Sequence, residues 1–236
     1  MTARDEHALA VLFRQESGRL VATLTRFFGA GNLALAEDVA QETLIVALQA
    51  WSGGLPPDPS AWLFHVAKNR ARDMVRRRRV RRGVDDTIDP DDLAVDATTD
   101  DDVDADVLRM MFSCCHPALT EDTQTALIFR LVCGFSTNEV ALAFFSEPSA
   151  MEKRLVRAKK VLADEGRLFE PMTHAETRER AAAVMQAVYL MFDAGYHSAV
   201  APEVVRLDVA SEAIRLAVLL ADSRATTDPP RTPSRP

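Results

Sequence analysis

The chain has 236 residues, a formal net charge of −7 and 47% hydrophobic residues, which is enough apolar content to build more than one small globular domain. Its three cysteines cannot form a disulfide framework, its first residues lack the apolar core of a signal peptide, and its longest apolar stretch, residues 181–192, is too short to cross a bilayer. We therefore expect a cytoplasmic protein without a membrane segment.

The spacing of the apolar residues predicts an all-α fold. Almost every segment repeats them with the period of a helix, and the alternating pattern of β-strands is absent. Glycines predict the end of a first helix at residues 29–31 and of a second at residues 53–54. Three prolines then favour a loop, after which Asp58 or Ser60 is expected to cap a third helix that starts at about Ala61.

The second predicted helix carries a small acidic and polar face. Its members are Glu37, Asp38, Gln41 and Glu42. Such a patch is usually a solvated helix surface. The alternative is a docking surface for a basic or polar protein partner.

The third predicted helix is densely basic, because residues 62–82 contain nine Lys or Arg and one acid in a chain of negative net charge. A cationic face of this kind neutralises nucleic-acid phosphates, and Trp62, His65 and Asn69 can stack on unpaired bases or hydrogen-bond to them. The alternatives are a solvated helix end and, for Trp62, core packing. The residues that share or border the cationic face are His65, Lys68, Asn69, Arg72, Arg76, Arg77 and Arg79.

The charge changes from positive to negative over residues 83–106, which hold eleven aspartates and no Lys or Arg. Such a segment repels itself and has little apolar surface to bury, so we predict a flexible acidic linker between two domains. We add the hypothesis that these aspartates shield the arginines of the basic helix.

Residues 107–169 predict a second domain of four helices. Ser136 and Glu139 form a capping-box sequence before a short helix, a tight turn follows at residues 146–148, and a basic helix comes next. This order is typical of a helix-turn-helix, although unrelated helical pairs share it. The basic side chains expected to face away from the core, toward DNA or toward a local acid such as Glu152, are Lys153, Arg154, Arg157, Lys159 and Lys160.

Two further helices are predicted within residues 174–222, and the Pro-rich residues 223–236 predict a disordered tail. Cys114, Cys115 and His116 invite a metal-site interpretation, but no Cys-x-x-Cys pair is present, so buried thiols are the preferred interpretation. The motifs of nucleotide-binding loops and hydrolases are also absent. We therefore expect no enzyme activity, no metal and no cofactor.

The order of the motifs resembles a known family. Residues 36–44, residues 61–79 and the basic residues 154–159 strongly resemble a bacterial RNA polymerase sigma factor of the extracytoplasmic-function type. The resemblance implies a sigma region-two domain at residues 5–82 and a region-four domain at residues 107–169.

The resemblance also implies roles for the polar faces. The face of the second helix is expected to dock on the β′ subunit of core RNA polymerase through Glu37, Asp38, Gln41 and Glu42. The third helix is expected to bind and help melt the minus-ten promoter element through Trp62, His65, Lys68, Asn69, Arg72, Arg76 and Arg77, while the loop at residues 52–59 captures a flipped base. The second basic helix is expected to read the minus-thirty-five element through Lys153, Arg154 and Arg157, with Lys159 and Lys160 nearer the phosphates.

Residues 114–119 and 189–196 further resemble a subgroup of this family with a tetratricopeptide-like helical extension, here shortened to residues 174–222. The resemblance thus implies a sigma factor that binds the β′ and β subunits of core RNA polymerase and promoter DNA. The alternative is a helix-turn-helix regulator that binds duplex DNA without polymerase. An anti-sigma partner is left open.

Overall fold

A computed structural model describes residues 3–82, 99–164, 172–196 and 206–227. Within these ranges the chain forms α-helices and two short 3-10 turns but no strand, which confirms the predicted all-α fold. None of the described helices combines the length and the hydropathy needed to cross a membrane. The helices are α1 (Ala3–Phe28), α2 (Leu33–Ala50), α3 (Pro59–Arg82), α4 (Asp100–Cys114), α5 (Glu121–Leu131), α6 (Thr137–Ala143), α7 (Pro148–Asp164), α8 (His174–Tyr196) and α9 (Leu207–Thr227).

Helices α1, α2 and α3 occupy the region predicted as the N-terminal unit and pack on one another. Asp58 caps α3, since its carboxylate accepts a hydrogen bond from the N–H of Ala61 at 2.9 Å, and Pro59 occupies the first turn, where no N–H donor is required. Leu63 and Ala67 of α3 are fully buried in the core that this unit shares with the rest of the chain. Burying one such leucine contributes about 1.5–3 kcal/mol, so the apolar face of α3 holds its basic face in a fixed orientation.

The acidic segment differs from the prediction at its C-terminal end. Residues 83–98 lie outside the described residues, but α4 begins at Asp100, after a capping box between Thr99 and Asp102. Asp106 is fully buried between Arg26 of α1, at 2.8 Å, and Arg109, at 3.1 Å. Residues 100–106 are therefore helix and not flexible linker, because a cap, two arginine partners and an apolar helical face outweigh the mutual repulsion of the aspartates.

Helices α4 to α7 follow the predicted order of the second unit. Ser136 and Glu139 form the predicted capping box, and the α6–α7 turn is tight. Phe145 lies in this turn with a φ of 48° and a side chain that is 93% exposed. A left-handed backbone costs an ordinary residue about 1–2 kcal/mol, so this exposed phenyl group occupies a position that glycine would favour.

Helices α8 and α9 form an antiparallel hairpin at residues 174–227. The predicted disordered tail begins too early at residue 223, because α9 continues to Thr227 and ends only before Pro229 removes a backbone N–H donor. Residues 228–236, which contain the rest of the predicted tail, lie outside the described residues, as do the segments at 165–171 and 197–205.

Helix α1 joins all parts of the molecule, because it packs on α2 and α3 and also on α4, α5 and α9. A Cβ atom on Gly18 of α1 would lie 1.8 Å from the carbonyl oxygen of Val132, so only glycine permits this crossing. Gly134, at a φ of 65°, also lies against α1, since an added Cβ would be 2.9 Å from the carbonyl oxygen of Arg14. The two predicted domains are thus in direct contact in this structure and not held apart by the acidic segment.

Candidate nucleic-acid interface

The basic face of α3 follows one side of the helix, where His65 and Asn69 are exposed and Arg72 is half-buried. His65 and Asn69 lie one turn apart with 3.0 Å between His65 Nε2 and Asn69 Nδ2, and Arg72 donates to the Asn69 side-chain oxygen at 3.3 Å. Arg76 and Arg77 continue this line and are exposed, while Lys68 is half-buried. The structure therefore brings the predicted minus-ten residues of α3 together on one side of the helix, where donors and cations alternate along about three turns.

Trp62 is the exception among these residues. Its ring is half-buried and meets Trp51 edge-on at a centroid distance of 5.2 Å, and Trp51 in turn contacts Phe13 at 5.7 Å. Three aromatic rings in such tilted contacts stabilise the start of α3 against α1 and α2. Trp62 therefore packs in the core in this structure, as the alternative interpretation expects. A contact between Trp62 and unpaired bases stays a prediction.

The loop that is expected to capture a flipped base lies beside this aromatic cluster. Residues 52–58 are mostly exposed, Gly54 has a φ of 133°, and Leu55 presents an exposed side chain. The loop is mostly exposed and leads directly into α3, so a base can reach it.

The acidic face of α2 divides into two parts. Asp38, Gln41 and Glu42 are exposed, as a docking surface requires, and Glu42 pairs with Arg70 of α3 at 2.6 Å. Glu37 is only 5% exposed. The structure therefore presents three of the four predicted polymerase-binding residues to solvent and covers the fourth.

Helix α7 presents the second basic surface. Lys153, Arg157 and Lys160 are exposed, Arg154 is half-buried, and the apolar side made by Met151, Leu155, Ala158 and Leu162 is buried as predicted. A cleft of about 480 Å³ lies beside Arg154 and Arg157, with the hydroxyls of Thr120 and Thr123 at its other wall. Cations and hydroxyls around one cleft are groups that contact DNA phosphates.

Lys159 does not share this exposed surface. Its ammonium lies 2.6 Å from the Glu37 carboxylate of α2, and Arg130 of α5 lies 3.3 Å from the other oxygen of the same carboxylate. One residue predicted to bind polymerase is thus ion-paired with one predicted to bind DNA. Nothing in the local sequence indicates this contact, since its partners are 122 positions apart.

A second ionic cluster, which no local sequence pattern predicts, joins three helices. Arg14 of α1 bonds to Glu139 of α6 at 2.9 Å and to Asp208 of α9 at 2.8 Å, and Arg206 bonds to the same two carboxylates at 2.8 and 3.2 Å. Burial acts to raise the pKa of Glu139, but the backbone N–H of Ser136 and the two arginines outweigh burial and lower this pKa to about 2. The pKa of Asp208 is lowered because its two arginine partners outweigh burial. Both carboxylates are therefore charged at neutral pH.

The cysteines behave as apolar core residues. Cys114, Cys115 and Cys133 are free and buried, and burial raises the pKa of all three thiols, that of Cys115 to about 12. Thiols that stay protonated are poor nucleophiles and poor metal ligands. The described part of the chain contains no cluster of metal-binding side chains.

The α8–α9 hairpin carries an apolar groove of about 540 Å³ on its outer side. Met185, Tyr189, Phe192 and Ile214 are among its lining residues and are between 38% and 66% exposed. The groove lies on the predicted extension, apart from the basic faces of α3 and α7, and no role was predicted for it.

Two family models match different parts of the chain. The family model for sigma-70 region 2 matches residues 12–81, and a model for a family of unknown function matches residues 180–232. An ECF RNA polymerase sigma factor of Mycobacterium tuberculosis, SigL, is 31% identical over 163 residues, which cover 67% of this chain and 83% of SigL.

An uncharacterized protein of Rhizobium meliloti is 39% identical over 211 residues, or 85% of this chain. The match covers 48% of that protein, so the chain spans about half the length of this relative. No solved structure matches the chain with significance.

Proposed function

Because the chain belongs to the family of extracytoplasmic-function (ECF) RNA polymerase sigma factors, we propose that it directs core RNA polymerase to specific promoters and helps to open the DNA strands there. The observation that carries the proposal is the pairing of two surfaces in one unit. The exposed acidic residues of α2 and the exposed basic face of α3 lie on neighbouring helices. Polymerase and melted DNA can therefore bind the unit side by side.

The acidic face of α2 is proposed to bind the β′ subunit of core polymerase. Asp38, Gln41 and Glu42 supply an exposed row of acceptors, and Glu37 joins them when its present partners leave. Charged rows of this kind contribute to specificity and association rate more than to total affinity. The β subunit is the proposed partner of the region-four unit.

The two basic helices are proposed to divide promoter recognition. On α3, Arg72, Arg76 and Arg77 neutralise phosphates, while His65 and Asn69 contact the exposed edges of unpaired bases. On α7, Lys153, Arg154 and Arg157 enter the major groove of the minus-thirty-five element.

The proposed role contains no covalent step, metal or cofactor. The protein acts in the cytoplasm, where core polymerase and DNA are found. The α8–α9 hairpin is proposed to be a shortened form of the tetratricopeptide-like extension to which residues 189–196 are similar.

Run-off transcription with purified core RNA polymerase and genomic fragments tests the proposal. We expect transcripts with discrete start sites only when the protein is added, and a footprint on the same fragments only when polymerase is present. A polymerase-independent footprint without transcripts would instead identify a helix-turn-helix regulator of duplex DNA and overturn the sigma-factor proposal.

A further inference from the structure

We propose that Phe145, in the turn between α6 and α7, is a specificity-determining residue for promoter DNA, and that its ring packs on the 5-methyl group of a thymine in the minus-thirty-five element. The inference deepens the proposed function and rests on it, because it requires the helix-turn-helix to enter the major groove. All contacts expected on this unit so far are Lys or Arg side chains of α7, so an apolar contact adds a different kind of recognition.

The backbone of the turn favours glycine at the position of Phe145. The N–H of Phe145 donates to the carbonyl oxygen of Leu142 at 3.1 Å. The next N–H, that of Ser146, donates to the carbonyl oxygen of Ala141 at 2.9 Å. These two bonds form a Schellman motif, which ends α6 and places Phe145 in the left-handed region at a φ of 48°. Glycine adopts this conformation without a steric penalty, so the local structure does not explain a phenylalanine.

Packing does not explain the side chain of Phe145 either. It is 93% exposed, whereas the neighbouring Phe144 is half-buried and tilted against Phe129 at a centroid distance of 6.2 Å. A phenyl ring that keeps almost all of its surface in water contributes little to the stability of the free protein. An exposed aromatic side chain on a strained backbone therefore indicates a contact with a binding partner.

The surroundings of Phe145 identify DNA as this partner. The next residue, Ser146, lines the cleft of about 480 Å³ together with Arg154 and Arg157, whose guanidinium groups suit phosphates. Phe145 also lies shortly before Pro148, where α7 begins. In a helix-turn-helix the first residues of the second helix meet the base edges in the major groove. The ring is thus placed between the expected phosphate contacts and the expected base contacts.

The residues at the start of α7 favour an apolar contact with a base. Residues 145–152 contain two exposed acids and no Lys or Arg, so the first cation after the turn is Lys153. This stretch therefore has no side chain that can read guanine by the paired hydrogen bonds of an arginine or lysine. Thymine is the base that carries an apolar group at its major-groove edge, and phenylalanine is one of the side chains that contact this methyl group.

The experiment replaces thymine by deoxyuridine, which differs from it only in lacking the 5-methyl group. Promoter fragments identified by run-off transcription receive one deoxyuridine at a time in the minus-thirty-five element. Filter binding then measures their affinity for the complex of the full-length protein with core RNA polymerase. At one thymine position the wild-type complex should bind about fivefold more weakly, which is the loss expected for one base contact.

Two variants separate the contact from the fold. Phe145→Gly and Phe145→Asn both suit a left-handed backbone, so they should fold with a Tm at or above that of the wild type. Both should bind the thymine fragment about fivefold more weakly and should no longer distinguish it from the deoxyuridine fragment. Val218→Ala, which shortens an exposed apolar side chain on α9, is the matched control and should behave like the wild type on both fragments.

The outcomes distinguish the two proposals. If the wild-type complex binds and transcribes but no deoxyuridine fragment binds more weakly, or if both variants keep the full difference, the role of Phe145 is overturned and the sigma-factor proposal stands. Weaker binding of Phe145→Gly to core polymerase without DNA would make Phe145 a polymerase contact and would also overturn it. If the wild type does not bind promoter fragments together with core polymerase, both proposals are overturned.

Discussion

Helices α3 and α7 are both basic, yet their basic side chains differ in exposure and in ion pairing. On the basic face of α3, His65, Asn69, Arg76 and Arg77 are exposed and Lys68 and Arg72 are half-buried, whereas α7 exposes Lys153, Arg157 and Lys160 and holds Lys159 in an ion pair with Glu37. The same residue types thus form a mainly solvent-facing surface on one helix and partly an internal contact on the other. Composition alone predicts affinity for polyanions, while the packing of each helix decides which cations are available for it.

The largest expected effect comes from removing the cations of the exposed helix. The double variant Arg72→Ala with Arg76→Ala should reduce promoter opening roughly 100-fold, because two contacts to the melted strand are lost at about 1–3 kcal/mol each. Permanganate reactivity of unpaired thymines measures the effect. Binding to core polymerase should be unchanged, and Arg178→Ala on α8 serves as the control. Normal strand opening by the double variant would show that α3 is not the melting helix.

The matching change on α7 should have a smaller effect. Arg154→Ala with Arg157→Ala should weaken promoter binding by the polymerase complex roughly 10-fold to 50-fold, since the contacts of α3 remain. Filter binding on promoter fragments with and without an intact minus-thirty-five element measures it. The loss should disappear on the fragment without the element; an equal loss on both fragments contradicts sequence readout by α7.

The exposed and covered parts of the α2 face can be compared directly. Asp38→Ala with Gln41→Ala should weaken binding to core polymerase about 10-fold, because both side chains are exposed in the free protein and available for docking. Equilibrium binding to labelled core measures the change, with Glu121→Gln on α5 as a matched control. Unaltered affinity would assign the docking surface to another part of the molecule.

The smallest predicted effect concerns the acid stability of the helix-turn-helix unit. The pKa of Glu139 is about 2 in the folded protein against an ordinary value of 4.5, so its contribution to stability is fully present above about pH 4.5 and is lost as the pH falls toward 2. Glu139→Gln should lower Tm at pH 7 by about 3 °C and have little effect at pH 2.5.

Thermal unfolding followed by circular dichroism at both pH values provides the comparison. Asp106 and Glu212, whose pKa values burial raises, change stability in the opposite direction with pH. The variant is therefore compared with the wild type at each pH. An equal difference in Tm at the two pH values would exclude the charge of Glu139 as its cause.

Much of the fold follows from local patterns. The buried stripe of α7 and the capping box of Ser136 and Glu139 could be predicted, because helix periodicity and capping depend on residues three or four positions apart. The predicted family is confirmed by the match of residues 12–81 to sigma-70 region 2 and by the similarity of the chain to SigL.

Long-range ionic contacts could not be predicted in this way. Glu37 belongs to a regular acidic face, and no feature of that face distinguishes it from Asp38 until Lys159 and Arg130 are placed beside it. Asp106 was assigned to a linker because the many aspartates around it obscured the helical spacing of Val103, Val107 and Met110. The hypothesis that the aspartates shield the arginines of α3 fails for Asp104 and Asp106 in this structure. These two residues pair with Arg215 of α9 and Arg26 of α1.

The bond between Arg14 and Asp208 joins residues 194 positions apart. A ribosome that adds about 5–20 residues per second completes α9 roughly 10–40 s after α1 has emerged. Throughout that interval Arg14 lacks its partner on α9, so the ionic cluster around Arg14 is completed only after α9 has been made.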